Sequence, residues 1–180
     1  MMMTRRHILT ASVALPALAA LPGCLRPAPR PGPNGVTLPA IYRIDPADVA
    51  RIRSRARDGV NAQRHAADAP PVALDAALNA AAAAHARDMA ARNRAGHLGP
   101  DGATPVERAG RAGYRGTVLG ETIAESYEDE LQTVTAWFNR ADTRAVLVDP
   151  RARDMGLGVV QTGGGKIWWC LLLGDGADRA

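Results

Sequence analysis

Residues 96–124 read GHLGPDGATPVERAGRAGYRGTVLGETIA. Gly96 and Gly99 flank His97, and Pro100-Asp101-Gly102 is a turn signal. Thr104-Pro105-Val106-Glu107 follows, with proline at the first helical position. Thr104 and Glu107 stand three apart, as a reciprocal cap of free helix amides requires. That cap gives Glu107 a sufficient structural task. The short helix it opens ends at Gly113. The β-branched, apolar run Thr117–Ala124 then predicts a strand on which Glu121, Ile123 and Glu125 share a face. His97 and Glu121 are the chemistry-bearing residues of this stretch.

Towards the C-terminus, Ser126 is placed to cap a helix, with Asp129 at its third position and an apolar face of Tyr127, Leu131, Val134 and Phe138 that Trp137 widens. A polar break over 139–143 and an apolar run over 145–148 lead to Asp149-Pro150. Met155–Val160 and Ile167–Leu173 read as two strands of a hairpin turned by Thr162-Gly163-Gly164-Gly165. Adjacent Trp168 and Trp169 must point to opposite faces, so at most one of them is expected in the core from that sheet face. The glycine run lacks the helix and Lys-Ser/Thr signature of a phosphate loop.

Towards the N-terminus, a helix is expected over about Leu74–Asn93, with Leu74, Leu78, Ala81, His85 and Met89 on one face. His85 then points inward, as a hydrogen-bonded core residue rather than a ligand. Another helix spans about Pro46–Ala66, capped by Asp45. Val49, Ile52, Ala56 and Val60 form its apolar stripe, and Arg51, Arg53, Arg55 and Arg57 are expected on a solvated face.

Ahead of the body, Thr4-Arg5-Arg6-His7-Ile8-Leu9 opens an apolar run too short, and too interrupted by Pro16, for a bilayer span. The arrangement resembles a twin-arginine export signal; an ordinary secretory leader is the alternative. Leu21-Pro22-Gly23-Cys24 resembles a lipobox, with Pro22 as a departure. Lipidated Cys24 would tether the protein to a membrane, whereas cleavage near Ala20 or Gly23 would release it. Pro27, Pro29, Pro31, Pro33 and Pro39 make the following segment a spacer. The expected organisation is a leader over 1–23, a tether over 24–44, one domain over 45–174 and a tail over 175–180. Cys170, the only other cysteine, is expected as a small apolar strand residue and not as a disulfide partner of Cys24.

The chain of 180 residues carries 22 basic and 18 acidic side chains, a formal charge of +4. Two of the basic ones, Arg5 and Arg6, lie in the leader, which leaves +2. Arginines are scattered and no aromatic platform accompanies them, so a nucleic-acid partner is not expected.

The series His85-Ala86-x-x-Met89-Ala90, Gly96-His97, Arg108…Gly113-Tyr114, Gly120-Glu121-x-Ile123-Ala124, Trp137, Arg144 and Met155-Gly156-x-Gly158-Val159 resembles the CAP superfamily (cysteine-rich secretory, antigen 5 and pathogenesis-related proteins) in a short bacterial form. The resemblance covers about Val49–Leu173. It implies an α+β fold, an α-β-α sandwich with a small, mainly antiparallel sheet between helices. It also implies a cleft of two histidines and acidic residues that in some members binds zinc, with His97 and Glu121 at two of these positions. Thr143 stands at the second-histidine position, Thr122 replaces the asparagine after the glutamate, and a second acidic residue would fall at Arg140. Zinc takes three or four donors, so no cofactor is expected, although Asp142 or Glu125 could offer a carboxylate.

Two functions remain. One is a non-catalytic envelope module, exported and anchored through Cys24, that binds an unknown lipid, glycan or protein. The other is a metal-dependent or histidine–glutamate hydrolase using His97 and Glu121. A structural role, in which the pair ties its loop to the sheet, is the third reading. A serine triad has no nucleophile elbow to support it.

Overall fold

The computed structural model describes residues 30–31, 37–38, 42–126 and 128–176. The expected leader, Cys24, most of the proline-rich tether and Tyr127 lie outside them. Within the tether, β1 (Arg30–Pro31) pairs antiparallel with β2 (Thr37–Leu38). Among the described residues, side-chain packing on the body is seen from Tyr42 onward, just ahead of the boundary expected at 45. The Tyr42 hydroxyl donates to Glu130 at 2.8 Å, and Gln161 bonds both Ile44 N–H (2.9 Å) and Tyr42 O (2.6 Å).

A 3-10 turn (Pro46–Asp48), capped by the Asp45 carboxylate, leads into α1 (Val49–Ala66), with Ile52, Ala56 and Val60 buried as the stripe predicts. Its arginines are not all solvated. Arg53 Nε donates to Leu157 O at 2.8 Å, and Arg55 lies 3.0 Å from the buried Glu130 carboxylate. α2 spans Ala76–Arg92 and starts two residues later than expected, because the Asp75 carboxylate accepts from Leu78 N–H at 2.8 Å. Leu74 belongs instead to β3 (Ala73–Leu74), which runs parallel to a later strand and pairs with it at Asp154 and Met155. α3 (Pro105–Arg111), β4 (Val118–Ser126), α4 (Glu130–Phe138), α5 (Ala141–Leu147), β5 (Asp154–Gln161) and β6 (Ile167–Gly174) complete the body.

Two expectations change here, at Ser126 and at the polar break. Ser126 is the last residue of β4, and Asp129 caps α4, accepting from Leu131 and Gln132 N–H while Gln132 answers with a bond to Asp129 N–H. The expected polar break is largely helical, since α5 begins at Ala141. Trp168 and Trp169 point to opposite faces as expected, and each is fully buried in the core of its own face.

The sheet order is β3-β5-β6-β4, antiparallel except at β3. Trp169, Leu171 and Leu173 face α1 and α4, packing with Ile52, Val60, Val134 and Trp137. Trp168, Cys170 and Leu172 face α2, packing with Leu78, Ala82, Ala86 and Met89. A sheet covered on both faces has two cores, so adjacent residues can both be buried. This is the expected α-β-α sandwich. The α2 face is unusually close: a Cβ at Gly158 would lie 2.1 Å from Ala82 O, and one at Gly156 would lie 2.2 Å from the Leu78 carbonyl carbon. Alanines on the helix and glycines on the strand permit that approach.

Candidate functional site

α2 ends where Asn93 turns left-handed (φ 48°), and a loop carries the chain to α3. Gly102, at φ 81°, closes a turn in which Gly99 and Ala103 are bonded (2.8 Å) and the Asp101 carboxylate accepts from Ala103 N–H (3.0 Å). Thr104 and Glu107 form the predicted capping box, with the Glu107 carboxylate accepting from Thr104 N–H at 2.7 Å. These bonds hold the Glu107 carboxyl below its ordinary range. The box fixes the phase of α3 and turns the next residue, Arg108, inward.

Arg108 is 7% exposed and joins loop, helix and strand. One terminal nitrogen donates to His97 O (2.7 Å) and Ala103 O (2.8 Å), and the other donates to Glu121 Oε2. Glu121, projecting from β4 with its side chain 2% exposed, accepts from His97 Nδ1 through Oε1 at 2.9 Å. The Cys170 thiol lies 3.3 Å from Oε2, and burial, followed by the Glu121 charge, pushes its pKa well up. Both carboxylate oxygens of Glu121 are therefore engaged. Arg108 is the member of this hub to which sequence reasoning gave no role. The capping box was the available signal, because it sets which α3 residue faces the sheet.

His85 is buried, as its helical position implies, and its Nε2–H donates to Gly96 O at 2.7 Å. Its ring nitrogen lies 4.0 Å from Glu121, but burial, the largest influence, lowers its pKa. A neutral ring follows, with Nδ1 buried and without a hydrogen-bond partner among the described residues.

His97 has its side chain 58% exposed at the mouth of a cleft of about 480 Å³. Its Nδ1–H faces the glutamate, which leaves Nε2 with its lone pair and without a partner among the described residues. Across the cleft stand Ala136 and Trp137 of α4 and Thr143 and Val146 of α5. The Thr143 hydroxyl donates to Trp137 O at 2.5 Å. Arg140 chelates Asp142 at 2.8 and 3.3 Å and holds its carboxyl at about 2. Glu125 lies on the strand, 3.7 Å from Lys166.

This donor set does not fit a zinc ion. His97 offers one nitrogen, Glu121 is bonded at both oxygens, Thr143 is turned to a backbone carbonyl, and Asp142 is paired. Among the described residues no three His, Cys, Asp or Glu side chains converge as ligands.

A model of the cysteine-rich secretory protein family matches residues 57–172. The uncharacterized protein YkwD of Bacillus subtilis is 27% identical over 123 residues, which are 68% of this chain and 47% of that protein. The chain thus spans about half the length of the curated relative it matches. An outer surface protein of Borrelia burgdorferi superposes with a TM-score of 0.65 at 18% identity, over 74% of this chain and 96% of the other. An extracellular SCP-domain protein of Bacillus anthracis gives 0.64 at 22%, over 73% and 44%. At these identities the two structures speak to the fold.

Proposed function

This chain belongs to the cysteine-rich secretory protein family, and from that premise we propose that it is an exported, membrane-tethered CAP-domain module whose cleft binds an envelope ligand without turning it over. The engagement of Glu121 supports this reading most directly. A carboxylate that holds His97 on one oxygen and Arg108 on the other is placed to shape a surface. Those bonds compete with proton transfer or metal ligation at Glu121, which supports the non-catalytic reading. The order of an Arg-Arg leader, Cys24 and a proline spacer supports export and anchoring, and the related proteins described as extracellular or outer-surface agree with that location. The free Nε2 of His97 favours a second reading, a histidine–glutamate hydrolase.

The two readings separate on one experiment. The protein is incubated with an immobilised bacterial envelope fraction, beside Ala136→Trp, which fills the cleft, and His97→Ala. Binding without turnover predicts saturable retention that Ala136→Trp abolishes and no accumulating soluble product. Release of amino sugars, peptides or fatty acids in catalytic excess, abolished by His97→Ala, would establish the hydrolase instead. Anchoring is tested separately by Cys24→Ser, which is expected to move the protein from the membrane to the soluble fraction.

A further inference from the structure

β4 is the outer strand of its sheet, flanked by β6 on one side and by no strand on the other among the described residues. The rest of the ladder fixes which way its main-chain groups point. Arg153 N–H donates to Gly174 O at 2.9 Å, so Gly174 and every second residue of β6 before it (Leu172, Cys170, Trp168) turn towards β5. Leu171, Trp169 and Ile167 therefore bond β4, opposite Thr122, Ala124 and Ser126. Asp175, which continues that set, donates to Thr117 O at 3.1 Å. Glu121, Ile123 and Glu125 are left with N–H and C=O directed out of the sheet. The Trp137 indole N–H agrees, donating to Ile123 O at 3.1 Å. No other hydrogen bond from a described residue reaches an outward main-chain group of these three.

That edge, taken at Ile123 O by Trp137 and without another partner among the described residues, is the floor of the cleft. Glu121 and Ile123 turn to the α2 face of the sheet, and Ala124 and Ser126 turn to the α4 face, yet all four line one cavity. A cavity bordered by both faces of a strand passes over its edge. We infer that the ligand is an extended peptide, added to the sheet as a fifth strand against Glu121, Ile123 and Glu125. This inference rests on the binding-module reading and names its ligand class. Outward groups recurring every second residue, about 7 Å apart, match the repeat of another strand. An acyl chain carries nothing that could bond them.

The surrounding charges favour a basic peptide. Glu121 is neutralised by Arg108 and Asp142 by Arg140, while Glu125 has only Lys166 at 3.7 Å and Glu128 has no ion-pair partner among the described residues. Other occupants fit less well. The tether of this chain carries five prolines between residues 27 and 39, each without an N–H to give. A second copy presents its own β4 in the same recess, where two folded bodies cannot bring their edges within the ~4.8 Å of a strand pair.

The test pans a random nonapeptide phage library against the protein. A selected peptide is then made in two further forms, N-methylated at odd or at even positions. A strand offers β4 one edge only, so one form is expected to bind roughly tenfold or more weaker, and the other like the parent. Amide exchange at Ile123 and Glu125 is expected to slow at least roughly tenfold in the complex, with Thr122 and Ala124 unchanged. Equal affinity of both methylated forms, or protection elsewhere, overturns the proposal. Failure to select any peptide while envelope retention persists removes the peptide class and leaves the binding module. Loss of both removes both.

Discussion

Arg108 and Glu121 form a buried ion pair on which the His97 loop depends, and its energetics can be worked from the geometry. Arg108→Met leaves the Glu121 carboxylate, 2% exposed, without its countercharge. Breaking such a pair on one side costs about 3–5 kcal/mol. The His97 and Ala103 carbonyls lose their donor as well, at about 1 kcal/mol or less where water replaces it. Glu121→Met strands a guanidinium that keeps two carbonyl partners, which places it near the lower end, about 3 kcal/mol. The double variant removes both charges and fills the site with apolar groups. Its destabilisation is therefore expected to fall short of the sum of the singles by about 2–3 kcal/mol. Urea unfolding followed by tryptophan fluorescence measures all four species, with equal slopes confirming a common transition. Singles that add within about 0.5 kcal/mol would refute the view that this pair is one unit.

Arg64 is fully buried in α1 and donates to Pro70 O, Leu147 O, Asp149 O and Ala152 O. Arg64→Met strips these carbonyls and is expected to destabilise by at least about 3 kcal/mol in the same urea assay. A cost below about 1 kcal/mol would show that the loops do not depend on it. His85 supplies a pH dependence. Its folded pKa lies below the ordinary value of about 6.5, so the unfolded chain binds more protons there. Stability should fall as pH drops below about 6.5, by up to about 1.4 kcal/mol per pH unit until the folded ring itself protonates. His85→Gln should flatten that segment of the profile.

The fold was legible wherever local chemistry and tertiary packing agree. The capping box at Thr104–Glu107, the stripe of α1 and the β5–β6 hairpin are each signalled by residues close in sequence. Misplaced boundaries arose where two caps competed. Ser126 and Asp129 both suit a helix start, and the ladder to Ile167 keeps Ser126 in the strand. Leu74 continues the apolar period of α2, but its pairing with Met155, 81 residues away, is invisible to a local pattern. The alternation that sends Trp168 and Trp169 to opposite faces was legible from their adjacency, and helices on both sides of the sheet bury each of them. At the site, His97 and Glu121 are brought together as the family resemblance implied. Arg108 was signalled only indirectly, by the capping box that orients α3, while Cys170 and the engagement of Thr143 with Trp137 O reach the site only through the fold.

His97 is tied to a glutamate with both oxygens engaged, in the cleft proposed to take its ligand without a metal. Calorimetric titration of the protein with zinc, beside His97→Ala, addresses this most directly. The geometry predicts no saturating one-to-one heat in either protein. Stoichiometric zinc binding by the wild type, lost in His97→Ala, would contradict it.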